Sequence, residues 1–116
     1  MREFTVREGR FLLNNRPVLV RGVVHDPVYA RTLAAPASLD IARAELNMAR
    51  RAGFNLIRVR NRPAPRLTLD LADELGLMVY EEAPLAGVGK SPALRDRCER
   101  EVREMVLRDR NHACVV

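Results

Sequence analysis

RRAGFNLIRVRNRPAPRLTLDLADELGLMVYEE, residues 50–82, holds the reading on which the rest depends. FNLIRVR (54–60) is short, apolar and β-branched, as a buried strand is. Pro63 and Pro65 then open a segment in which Leu67, Leu71 and Leu75 recur every four residues, one face of a helix. Gly76 stops that helix, and LMVYEE (77–82) is again strand-like. Strand, helix, strand in this order, with a Gly leading straight into each strand, argues for parallel strands joined by crossover helices.

The alternation extends both ways. Upstream, Ser38 is placed to cap a helix whose stripe is Leu39, Ala42, Leu46 and Ala49, with Gly53 at its end. Before it, His25 to Ala37 is a loop containing Pro27 and Pro36. Val18 to Val24 is an apolar run broken by Arg21 and Gly22, which predicts a strand buried on both faces. Residues 1–17 predict a leading hairpin: Glu8-Gly9 turns between Phe4–Val6 and Phe11–Leu13, and Asn14-Asn15 turns again before Pro17. Downstream, Pro84, Gly87 and Gly89 mark a loop. A third helix runs from about Pro92 with Leu94, Cys98, Val102 and Met105 on one face, and an apolar strand begins at Cys114, Val115 and Val116. The expected fold class is therefore α/β, with βα units over 18–116.

Composition narrows the classes. The 116 residues can bury a core. No apolar run approaches the roughly 20 residues of a membrane helix, and MREFTVREGR has no signal-peptide core. The net charge of +5 comes from 19 Arg and Lys90 against 15 acids. The Arg residues are scattered beside Asp or Glu, as in RAEL (43–46) and RDRCEREVRE (95–104). With aromatics at 4%, base-stacking platforms are few, so solvated helix faces are expected rather than a nucleic-acid surface. Cys98 and Cys114 read as small buried hydrophobes. With no CxxC and two His, a zinc site is not expected.

Each predicted parallel strand gives way to ionisable residues at its C-terminal end: His25-Asp26, then Arg58, Arg60 and Asn61, then Glu81-Glu82. In parallel α/β folds that end gathers the loops that bind ligands.

Four blocks resemble one family. LLNNRPVLVRGVVHD (12–26) is similar to "NGKPVxLRGVNxH", GFNLIRVRNRP (53–63) to "FNAVRxSHYP", LADELGLMVYEEA (71–83) to "LCDELGLYVxDEA", and RDRNHACVV (108–116) to "RDRNHPSVIxWSxGNE". These are patterns of the catalytic domain of glycoside hydrolase family 2, the group of β-galactosidases, β-glucuronidases and β-mannosidases. The resemblance implies the N-terminal part of a (β/α)8 TIM barrel: strands one to three and the start of strand four, behind the short hairpin. It implies a parent that is a retaining β-glycosidase acting on oligo- or polysaccharide, with no cofactor. Its partners would be the carbohydrate substrate, the remaining barrel and accessory β-domains. It also implies that the family's two catalytic Glu fall beyond Val116, so the chain alone is expected to be inert.

The site residues follow from the same matches. Arg58 answers to the strand-two Arg, expected near the nucleophile, and His25 to the strand-one His that lines the sugar pocket, with Asp26 beside it. Asn61 stands where the pattern has His, and Glu82 is the Glu of "DEA". Glu81 and Glu82 cannot form a catalytic carboxylate pair, because adjacent strand residues point to opposite faces. APLAGVG (83–89) lacks further acids or His, so no metal is expected at Glu82. Asn111 and His112 are expected to be structural. The alternatives are a non-catalytic carbohydrate-binding module or a structural barrel fragment. An incomplete barrel exposes strand edges, so self-association of the fragment is also expected.

Overall fold

The computed structural model describes residues 2–26, 28–30, 32–33, 36, 38–85 and 87–116. Pro27 and Ala37, named above in the first loop, lie outside them. The leading segment is a three-stranded antiparallel meander of β1 (Phe4–Arg7), β2 (Arg10–Leu13) and β3 (Arg16–Pro17). Its turns fall at Glu8-Gly9 and Asn14-Asn15. Glu8, Asn14 and Asn15 all take positive φ there, and Phe4 stacks on Phe11 at 5.4 Å.

The second sheet is parallel, in the order β4 (Gly22–His25), β5 (Leu56–Val59) and β6 (Met78–Glu81). Helix α1 (Leu39–Arg51) joins β4 to β5, α2 (Arg66–Leu75) joins β5 to β6, and α3 (Leu94–Asp109) follows. Val115 makes a single parallel bridge to Val79, where a fourth strand would begin. Among the described residues this is the α/β arrangement of an incomplete barrel, with three parallel strands that do not close.

Local signals explain the boundaries. The Ser38 hydroxyl accepts the Ile41 N–H at 3.3 Å, a cap worth about 1 kcal/mol. Gly76 ends α2 at φ 72°, a left-handed conformation that a Cβ would strain. At the N-terminal ends of the strands, Asn55 accepts the Arg21 N–H at 2.7 Å and donates to Leu19 O at 2.8 Å, holding β4 beside β5.

The core lies between sheet and helices. Ile57, Val59 and Val79 meet Ala42, Leu46, Leu69, Leu71 and Ala72, all buried. Two expectations change. The Val18–Val24 run is not buried on both faces: β4 is an edge strand, Leu19 is 74% and Val24 53% exposed, and only Val23 packs on the core. The stripe of α3 is only partly covered, with Leu94 and Met105 half-buried. Val102 and the neighbouring Val106 and Leu107 are exposed, Cys98 is half-buried, and Asp109 is the helix's buried residue. Among the described residues no helix is long and apolar enough to cross a membrane.

Candidate functional site

Register fixes which residues can meet. Val24, Arg58 and Tyr80 are aligned across the three strands, as are His25, Val59 and Glu81 one residue on. Parallel partners share a face. Val59 is buried in the core, so His25 and Glu81 turn toward the helices, while Val24, Arg58 and Tyr80 turn to the open face.

On the open face, Arg58 reaches Glu82, just past β6. Its Nε donates to Oε1 at 2.6 Å, and Nη2 lies 2.5 Å from the same oxygen. The other oxygen, Oε2, accepts the Asn61 N–H at 3.0 Å. Asn61 takes φ 60°, a conformation Asn adopts more readily than other non-glycine residues. The expected residues Arg58, Asn61 and Glu82 are thus brought together by one carboxylate that joins the ends of β5 and β6. Asp26 sits at the end of β4 and pairs with Arg62 at 2.5 Å, bridging β4 to the same loop. Arg62 was not among the expected site residues. Its only sequence signal is its replacement of Tyr in the "SHYP" pattern.

His25 goes elsewhere. Its Nε2 lies 3.3 Å from Glu45 Oε2 on α1, and Tyr29 donates to that same oxygen. Burial and the Glu45 carboxylate push the Tyr29 phenol up to about 12. His25 lines an apolar cleft with Val23, Met48, Ala49 and Phe54, on the face of the sheet opposite to Arg58.

The neighbouring glutamates have opposite environments. Glu82 is held below the usual carboxylate range, first by the Asn61 N–H and then by Arg58. Glu81, with a side chain 5% exposed, accepts the Ala64 N–H at 2.8 Å, and burial pushes its carboxyl up. Arg108 forks onto buried Asp109 at 2.7 and 2.6 Å and donates to Ala64 O at 2.7 Å. Ala64 is therefore held at both its N–H and its C=O, which fixes the loop that carries Asn61 and Arg62.

Glu82 has a depressed folded value, so its contribution is present above its unfolded value and fades as pH falls through the folded one. Glu81 is raised, so ionising it disfavours the fold as pH rises through its folded value. Side-chain carboxyl NMR across an acid titration is expected to show Glu81 protonating before Glu82, on either side of the ordinary glutamate value. Titration in the reverse order would contradict the assigned geometry.

Residues 4–116 match the model for "Glycosyl hydrolases family 2, TIM barrel domain". A β-galactosidase of Thermoanaerobacter pseudethanolicus is 30% identical over 114 residues, covering 93% of this chain and 14% of that protein. Among solved structures, β-glucuronidase 3 of Bacteroides uniformis superposes with a TM-score of 0.86 at 31% identity, over 99% of this chain and 15% of that one. A Ruminococcus gnavus β-glucuronidase in complex with D-glucuronic acid gives 0.90 at 25% identity, over 100% and 20%. The chain thus spans about a seventh of the curated β-galactosidase's length. It belongs to glycosyl hydrolase family 2, as part of that family's TIM barrel domain.

Proposed function

We propose that the chain supplies the first three βα units, and one wall of the sugar pocket, to a retaining β-glycosidase. The observation that carries this is the Arg58–Glu82–Asn61 cluster at the C-terminal ends of adjacent parallel strands, where barrel enzymes place their chemistry. A retaining enzyme needs two carboxyl groups roughly 5 Å apart, one attacking the anomeric carbon and one protonating the leaving oxygen. Glu81 and Glu82 do not supply them, since one is buried under Ala64 and the other faces Arg58. Both reacting carboxylates come from later strands.

The chain's own residues then support that chemistry. Arg58, fixed by Glu82, keeps a guanidinium beside the nucleophile and holds it ionised. Asn61, in place of the pattern's His, offers a neutral amide to a sugar hydroxyl. Counting on from the shared Arg21-Gly22-Val23, the pattern's His falls at position 26, so Asp26, not His25, holds that place on the rim. With Arg62 in place of the pattern's Tyr, an ion pair replaces a His and a Tyr. His25 acts behind the sheet, steadying α1 through Glu45.

The test is hydrolysis of 4-nitrophenyl β-glucuronide and β-galactoside by the whole gene product beside the 116-residue chain. Turnover by the whole product and none by the chain is expected. Hydrolysis by the purified chain above a heat-treated control would overturn the assignment of the reacting carboxylates.

A further inference from the structure

Away from the rim, three metal-ligating side chains converge where α2 meets the start of the fourth-strand segment. A carboxylate oxygen of Asp73, a ring nitrogen of His112 and Cys114 Sγ all lie within 4.8 Å of one another. His112 Nδ1 is 2.8 Å from Asp73 Oδ2, and the Cys114 N–H donates to Asp73 Oδ1 at 2.6 Å. The thiol donates to Leu69 O at 3.5 Å. Cys114 is fully buried, whereas the Asp73 and His112 side chains are 30% and 18% exposed. The cluster therefore has a sulfur floor and an open mouth.

We propose that Asp73, His112 and Cys114 bind a thiophilic divalent cation of the zinc class, with water in the fourth position. Zinc takes thiolate sulfur at about 2.3 Å and imidazole nitrogen or carboxylate oxygen at about 2.0–2.2 Å in a tetrahedron. Three ligands so placed stand roughly 3–4 Å apart, so the triangle closes by about 1 Å at its widest. The ion takes the place of the thiol proton, which leaves to solvent as the metal–sulfur bond forms. His112 binds through Nδ1 as the neutral ring, its hydrogen passing by way of solvent to Nε2, so the thiol proton is the one released and the metal replaces the His112–Asp73 hydrogen bond. Asp73 Oδ1 keeps the Cys114 N–H. The bound ion ties α2 to the turn preceding Val115, and so to the Val115–Val79 bridge.

Sequence spacing hides this site, because its ligands come from position 73 on one element and 112 and 114 on another. The sulfur also departs from the resembled pattern, since "RDRNHPSV" has Ser where Cys114 stands. That makes C114S a gentle test, since Ser keeps the backbone N–H bond to Asp73. Co2+ titrated into the reduced full chain is expected to bind one to one. A thiolate-to-cobalt charge-transfer band and intense visible bands of tetrahedral Co2+ should appear, and Zn2+ should bleach both. C98S should keep the spectrum, and C114S should lose the charge-transfer band while melting, without metal, close to the parent chain. A weak octahedral spectrum in the parent chain, or a band that survives C114S, would overturn the proposal. So would a band lost in C98S. None of these readouts depends on glycosidase activity.

Discussion

Ile57→Ala is expected to destabilise the chain by about 2–5 kcal/mol, while Tyr80→Ala changes stability by less than about 1 kcal/mol. Ile57 and Tyr80 sit on adjacent strands of one sheet. The difference lies in which way each faces. Ile57 is fully buried against α1 and α2 and leaves a cavity when truncated. Tyr80 is 49% exposed on the open face. Native domains are stable by only about 5–15 kcal/mol, so the first change removes a large share and the second little. Urea unfolding followed by far-UV circular dichroism measures both. Equal losses, or a larger loss for Tyr80, would mean that the helices cover the other face, and Arg58 would then point into the core.

The sequence carried the middle of the fold well and its margins poorly. Leu46 and Leu71 announce α1 and α2 by spacing alone, and both are buried; Gly76 announces a helix end and takes the left-handed geometry that glycine permits. These signals are local, so one sequence shows them. The Val18–Val24 run misled because an apolar run reads the same whether or not a neighbour covers it. The α3 stripe is half-covered for the same reason, since periodicity marks a face but not how much lies against it. At the rim, Arg58 and Glu82 meet because Tyr80 is the register partner of Arg58 and Glu82, two residues on, shares its face. His25 was assigned by likeness of a short pattern, and a shift of one residue turns a strand side chain to the opposite face. The Asp26–Arg62 pair was not legible, because its members lie on different segments and neither residue type names its partner. Arg108, Asp109 and Glu81, which together hold Ala64, were hidden likewise.

The second large effect concerns Arg58 in the whole gene product. Its guanidinium is oriented by Glu82, and under the proposed function it is the fixed positive charge beside the nucleophile. Preorganised charge of this kind is worth about 10²–10³-fold in rate when one group is removed. Arg58→Lys should recover little, because an ammonium cannot reproduce the fork that holds Glu82. Glu82→Gln should fall between, since its amide oxygen can still accept one bond while the charge on Arg58 goes unanswered. The direct measurement is kcat/KM for 4-nitrophenyl glycoside hydrolysis by the Arg58→Ala whole gene product against the unaltered one, with circular dichroism showing both folded. A fall of about 10²–10³-fold, carried mainly by kcat, is the predicted result. A folded Arg58→Ala protein with unchanged kcat/KM would contradict the placement of these strand ends at the reacting sugar.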